Sequence, residues 1–314
     1  MLQMVETKAR AYRTLLAGDD LVVSPGVYDG YSARLVEAAG FKTAATSGAA
    51  ISNSRLGIAD MGVMGLAENV DQCRNIVRAV SIPVTCDADT GYGNPVNVHH
   101  TVREFEDAGA VGINIEDQVS PKRCGHMPGK EVVPAAEMVK KIEAACLARR
   151  DDDFVIVART DALAMEGIEG ACARIAAYVA AGADVIFPDA VKTEDDIARI
   201  VEAAGVPVSV NMGFGIRSRP TTPLIALPRL RELGVRRVSL PRMLPAAAIK
   251  AMTTALSLMR GVIETGEPID RPDLLASIDD IMDLMGYAEA RALEKRLLTT
   301  EAFDQKYAQR DGGP

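Results

Sequence analysis

The segment Lys122-Arg123-Cys124-Gly125-His126 places a thiol between two cations and an imidazole, with a glycine that lets backbone approach a ligand closely. It follows Ile113-Asn114-Ile115-Glu116-Asp117-Gln118, which reads as a buried strand ending in carboxylates. A thiol in a basic setting beside carboxylates suits an acid/base or nucleophilic cysteine acting on an anionic, metal-bound substrate. The bland alternative for Cys124 is a small buried hydrophobe. Lys122, Arg123 and His126 argue against it, because they would be costly to bury alongside the thiol.

Asp87 and Asp89 alternate around Ala88, so in a regular strand they point to the same side. With Glu116 from an adjacent strand they could form a hard-oxygen site for Mg²⁺ or Mn²⁺. No His or Cys pattern suits zinc. The alternative is that the two aspartates cap a helix or pair with Arg159, since like charges this close need a compensating cation. The other cysteines (Cys73, Cys86, Cys146, Cys172) read as packing, with Cys86 notable only for its position beside Asp87. Arg217 and Arg219 lie in a loop rich in Pro and Thr and are either solvated charges or carboxylate clamps.

What must position these groups is a regular alternation of elements. Eight short apolar or β-branched runs occur at 21–24, 43–46, 84–86, 112–115, 155–158, 185–187, 208–210 and 238–240. Alanine-rich segments of helical period lie between most of them, including 31–39, 67–80, 97–108, 135–149, 170–180, 194–204 and 227–233. Several end before Gly40, Gly109, Gly182 or Gly205, as expected of a C-terminal cap. Eight alternations predict a closed (β/α)8 barrel rather than an open doubly wound sheet, and no Gly-rich dinucleotide turn follows the first strand. Polar residues then fall in register at strand ends: Thr46-Ser47-Gly48, Asp87-Ala88-Asp89, Glu116-Asp117-Gln118, Arg159-Thr160-Asp161, Asp189, Asn211 and Arg242. Barrels place their catalytic groups at these C-terminal ends. Residues 1–264 are assigned to the barrel and 265–314 to a helical extension, either an extra packed layer or an oligomerisation arm. The segment 301–314 reads as frayed.

Composition bounds the rest. The 314 residues are 48% hydrophobic with a net charge of −8 and no long basic run, so nucleic acid is an unexpected partner. Five cysteines without metal-type spacing fit reduced thiols in the cytoplasm. No signal-type apolar core is visible in 1–13, and no uncharged apolar run reaches the roughly 18 residues of a membrane span. Tryptophan is absent, which disfavours aromatic platforms for bases or sugars.

Taken together, Ser47-Gly48, Asp87-Ala-Asp-Thr-Gly-Tyr-Gly93, Ile115-Glu-Asp-Gln118, Lys122-Arg-Cys-Gly-His126 and Arg159-Thr-Asp161 closely resemble the isocitrate lyase/phosphoenolpyruvate mutase superfamily. They look most like its 2-methylisocitrate lyase and dimethylmalate lyase branch, over about 24–252. The resemblance implies a Mg²⁺-dependent retro-aldol cleavage of a di- or tricarboxylic 2-hydroxy acid. It implies that Asp87, Asp89, Glu116 and, through water, Asp60 hold the metal. Ser47, Gly48 and Arg159 would bind the keto-acid carboxylate, with Gly125, Asp189 and Asn211 completing the substrate site. Cys124 would protonate the enolate carbon, tuned by His126, while Lys122 and Arg123 stabilise charge on the second carboxylate. It also implies a homotetramer whose C-terminal helices pack on, or swap with, a neighbour. Ala45, Ala49, Asn114 and Asp189 depart from the 2-methylisocitrate lyase pattern, as does the loop from Asn211. Competing expectations are an oxaloacetate hydrolase or decarboxylase, a carboxyphosphonoenolpyruvate-type phosphonomutase, and an idle metabolite-binding barrel.

Overall fold

The computed structural model of the chain describes residues 6–125, 127–213 and 222–307. The chain divides into two compact units, Met1–Ile249 and Lys250–Pro314. In the first, eight parallel strands run as β1 (Val22–Val27), β2 (Ala44–Thr46), β3 (Val84–Asp87), β4 (Gly112–Glu116), β5 (Val155–Thr160), β6 (Val185–Pro188), β7 (Ser209–Asn211) and β8 (Arg237–Leu240). Their order is β6-β5-β4-β3-β2-β1-β8-β7, and a parallel bridge between Ile186 and Val208 joins the two outer strands. Each predicted run therefore becomes a strand of a (β/α)8 barrel.

The alternation along each strand explains why both faces are buried. Val84, Cys86, Ile113, Ile115, Ile156, Ala158 and Val238 pack outward in the large core between strands and helices. Val155, Val157, Val185 and Phe187 form a second cluster with Ala9, Tyr12 and Leu16. Those three lie on a helix, Lys8–Ala17, which the sequence reading left without an assignment; Thr7 caps it by accepting from the Arg10 N–H at 3.1 Å. Their spacing of three and four residues gives one apolar face.

Other departures are local. A short helix, Gly48–Ile51, continues into a π-helical turn, Ser52–Leu56, directly after β2. The helix expected to begin near Gly170 begins at Leu163, with Gly167 at φ +67° breaking its regularity. Part of the segment expected to be frayed is the helix Thr300–Tyr307, while 308–314 lie outside the described residues. The helix Met243–Thr265 is long and apolar enough, by length and composition, to cross a membrane, although Lys250 and Arg260 interrupt it, so it is not the uncharged run whose absence was expected. None of its residues is buried.

Candidate active site

The carboxylates at the C-terminal ends of the strands arrive by different routes. β3 ends at Asp87, and the chain then turns, so Asp89 adopts φ +48° instead of continuing the strand. A non-glycine residue in that conformation is strained, a state that persists where surrounding bonds enforce it. Here the Asp89 N–H donates to Asp87 Oδ1 at 3.1 Å, and its carbonyl accepts from the Glu116 N–H at 2.9 Å. Asp87 Oδ2 accepts from the Gly48 N–H at 3.2 Å. A Cβ at position 48 would lie 2.7 Å from that same oxygen, so glycine is what lets backbone and carboxylate meet.

The segment after β4 returns over this mouth. Gln118 holds it by donating to the Arg123 carbonyl and accepting from the Arg123 N–H, both at 2.9 Å. Lys122 is thereby inserted among the acids: its Nζ lies 2.7 Å from Asp60 Oδ1 and 2.8 Å from Asp89 Oδ1. Burial would lower the Lys122 pKa, but Asp89, Glu116, Asp87 and Asp60 outweigh it and raise it well above the ordinary value. Burial likewise pushes Asp89 up to about 6, with Lys122 opposing and Asp87 reinforcing the shift.

Arg159 organises a second group. Asp161 takes one edge of its guanidinium, with Nε–Oδ2 at 2.8 Å and Nη2–Oδ1 at 3.0 Å. Glu116 Oε2 lies 3.1 Å from Nε, and Asp189 Oδ2 lies 3.2 Å from Nη2. Asp161 is itself set from behind, since Asp117 accepts from the Asp161 N–H at 2.9 Å and from Thr160 Oγ1 at 2.7 Å. Burial tends to raise the Asp161 pKa, but Arg159 and then Lys130 outweigh it and hold the carboxyl below its usual range. Burial raises Glu116 well above its range, with Arg159 opposing. The alternative in which Arg159 neutralises Asp87 and Asp89 is not realised; Lys122 serves Asp89 instead.

Cys124 is buried over this cavity, with Arg242 Nη2 2.8 Å from its Sγ. The Cys124 N–H donates to the Asp60 carbonyl at 3.3 Å. A Cβ on Gly125 would meet Asp189 Oδ2 at 1.9 Å and Arg159 Nη2 at 2.8 Å, so the loop lies against the acid–guanidinium pair at its glycine. The cavity is lined by Ser47, Asp60, Asp87, Lys122, Arg123, Cys124, Gly125, Arg159, Asp189 and Asn211 and encloses about 60 Å³. With the loop in this position there is room for an ion and a few waters, and far less than a six-carbon acid needs. Gly48, Asp89 and Glu116 adjoin the lining residues through the bonds given above. His126, Arg217 and Arg219 lie outside the described residues.

Sequence reasoning passed over Lys130, whose Nζ lies 2.8 Å from Asp161 Oδ1 and 3.5 Å from Asp189 Oδ2. It also gave no role to Arg242, although its place at the end of the eighth strand was a usable signal. For a metal, the donors are hard oxygens, and Glu116 Oε1 is buried without a hydrogen-bond partner. Asp89 Oδ1 is near Lys122 yet not aligned for a hydrogen bond. These acids are short of positive charge, which fits a divalent cation. Among the described residues, no three of the His, Cys, Asp or Glu side chains are gathered to hold a metal ion as they stand.

Comparison with known proteins places the chain in a family. Residues 12–260 match the family model of phosphoenolpyruvate phosphomutase. The chain is 43% identical over 284 residues to a 2-methylisocitrate lyase of Aeropyrum pernix, covering 90% of this chain and 89% of that protein. Among solved structures, 2,3-dimethylmalate lyase superposes with a TM-score of 0.84 at 34% identity, covering 93% of this chain and 96% of that one. Phosphonopyruvate hydrolase in complex with oxalate and Mg²⁺ gives 0.81 at 31% identity, covering 93% and 100%. A barrel with these strand-end acids, matched over this much of its length, belongs to the phosphoenolpyruvate mutase/isocitrate lyase superfamily.

Proposed function

We propose that this chain is a carbon–carbon lyase that cleaves a 2-methylisocitrate-like or substituted-malate 2-hydroxy acid into an α-keto acid and a carboxylate. The observation that carries the reading is the Cys124 thiol set over a cavity that Ser47, Asp87 and Arg159 share. A binding module would need the acids and the arginine but not the thiol. The named relatives with lyase activity support the same reaction class.

Cleavage begins as a carboxylate lining the cavity accepts the carbinol proton. The carbon–carbon bond then breaks, its electron pair passing to the departing fragment as a carboxylate enolate. Cys124 donates the proton that converts the enolate carbon to C–H. Ser47, Gly48 and Arg159 hold the keto-acid carboxylate. Asp161 fixes Arg159 by one edge, and among the described residues Nη1 has no protein partner competing for a ligand. Arg123 and Arg242 face the charge that develops on the second carboxylate. Asp87, Asp89 and Glu116, with Asp60 through water, would hold Mg²⁺ or, second, Mn²⁺, which when bound supplies Lewis-acid polarisation of the substrate oxygens. The protein is a cytoplasmic homotetramer in this reading.

The test is product identification by NMR from a panel of alkylmalates, 2-methylisocitrate, oxaloacetate and phosphonopyruvate with Mg²⁺ present. The expected products are an α-keto acid and a carboxylate from the first two classes. Turnover of oxaloacetate or phosphonopyruvate alone would move the chain to the hydrolase or mutase branch.

A further inference from the structure

Arg237 opens β8 with its side chain inside the barrel, and it is 1% exposed. Strand register places it opposite Val22 of β1 and Ser209 of β7, two residues below Ser239, which faces Asn211. Its guanidinium crosses the interior to three hydroxyls: Thr85 Oγ1 at 2.9 Å from Nη2, Ser24 Oγ at 3.3 Å from Nε and Ser209 Oγ at 3.4 Å from Nη1. All three hydroxyl residues are fully buried. Below, Tyr12 of the first helix is buried as well, and burial, opposed by Arg237, raises its phenol pKa. Above, Arg237 reaches the lining of the Cys124 cavity.

The charges around this cavity are not balanced evenly. Lys122 is paired with Asp60 and Asp89, Lys130 with Asp161 and Asp189, and Arg159 with Glu116, Asp161 and Asp189. Arg237, though deeply buried, has only neutral hydroxyls and no carboxylate paired with it among the described residues. Arginine does not escape such a position by losing its proton. A buried charge without a counter-ion is costly, and neutral hydroxyls recover only part of that cost. Hydrogen bonding alone would be met by an amide or a hydroxyl at far lower cost. The nearest acid along the strands is Asp87, two residues beyond Thr85 and committed to the candidate metal site, so an anion arriving from above supplies the counter-charge that the hydroxyls do not.

We propose that Arg237 is the fixed buried counter-charge of the substrate's anionic groups, a positioning residue that acts through its field from beneath the cavity floor. The inference rests on the lyase reading of the cavity. Strand residues two apart are separated by about 7 Å, a range over which a charge in a poorly hydrated interior still matters strongly. The field of one cation acts in proportion to ligand charge, so a dianion gains more from it than a monoanion.

The experiment measures calorimetric dissociation constants of oxalate and of pyruvate, each with Mg²⁺, for wild type, Arg237→Gln and Arg237→Lys, well below each protein's melting temperature. Gln keeps hydrogen bonding and removes the charge; Lys keeps the charge. Arg237→Gln should weaken oxalate by about tenfold or more and pyruvate by clearly less, on Coulombic grounds. Arg237→Lys should stay within about threefold of wild type, and the melting temperature of the Gln variant should not fall, because an unpaired buried charge has gone. If Arg237→Gln binds oxalate as wild type does, or if Lys loses as much as Gln, Arg237 is only a hydrogen-bonding hub and the proposal falls while the lyase reading stands. If wild type binds neither anion with Mg²⁺, the lyase reading fails and this inference fails with it.

Discussion

At the scale of the residue, the thiol carries the sharpest expectation. If Cys124 delivers the proton to the enolate carbon, Cys124→Ser replaces a usable acid with a far weaker one in nearly the same volume. Positioned acid catalysis is worth about 10²–10⁴ in rate, so kcat should drop by that order while oxalate binding with Mg²⁺ persists. Steady-state kinetics and calorimetry on the same preparation check both halves; near-wild-type turnover would assign the thiol to packing. Gly125→Ala makes a separate demand. Its methyl would fall on Asp189 and Arg159, so the loop could not reach its seat. Misplacing a catalytic group by about 1 Å costs on the order of 10², and a loss of that size with an unchanged melting temperature is expected. The thiol, the acids and Arg159 were legible because their types are unusual at strand ends. Their pairings were not. That Lys122 sits between Asp60 and Asp89, and that Lys130 reaches Asp161, follows from how a loop folds back across space, which neither spacing nor periodicity encodes.

At the scale of the element, the eight strands were readable because each is buried on both faces and so appears as an apolar run. The helix Lys8–Ala17 was harder to see: its apolar face is only Ala9, Tyr12 and Leu16, diluted by three basic residues. The turn after β2 was hidden for another reason, since Gly48–Ile51 and Ser52–Leu56 are too short to show a period. The segment between β4 and the next helix, Ala135–Ala148, is the element on which function turns. It is held at its base by Gln118 on Arg123, by the Val119 N–H on the Glu131 carbonyl at 2.8 Å, and at its far side by Lys130. Such a loop, closed over about 60 Å³, must move to admit substrate. Limited proteolysis within 119–130 should be slowed by oxalate plus Mg²⁺, and identical cleavage with and without ligand would count against closure. Lys130→Met removes the contact to Asp161 and should restore much of the cleavage in the presence of ligand.

At the scale of the whole molecule, the open question is what covers the C-terminal apolar surface. The helix Met243–Thr265 presents Met252, Leu256, Met259 and Ile263 with 50–74% of their surface exposed, and Ile278 of the next helix is 74% exposed. Isolated surface hydrophobes are ordinary, but residues repeating at helical spacing along one element form a stripe. Burying each such side chain is worth about 1.5–3 kcal/mol, so leaving the stripe in water would forgo a large part of a domain's net stability. Membrane length alone does not explain the stripe, because Lys250 and Arg260 interrupt the helix and the Thr300–Tyr307 segment beyond it is strongly polar. Packing against equivalent helices of other copies disposes of the stripe with closed symmetry. In the homotetramer of the proposed reading, light scattering at micromolar concentration should give a mass near four chains. The double variant Leu256→Asp, Ile263→Asp should shift it to smaller species, since two carboxylates would have to be desolvated at the contact. A wild-type monomer under those conditions, or a double variant of unchanged mass, would mean that this surface is not the contact that holds the assembly.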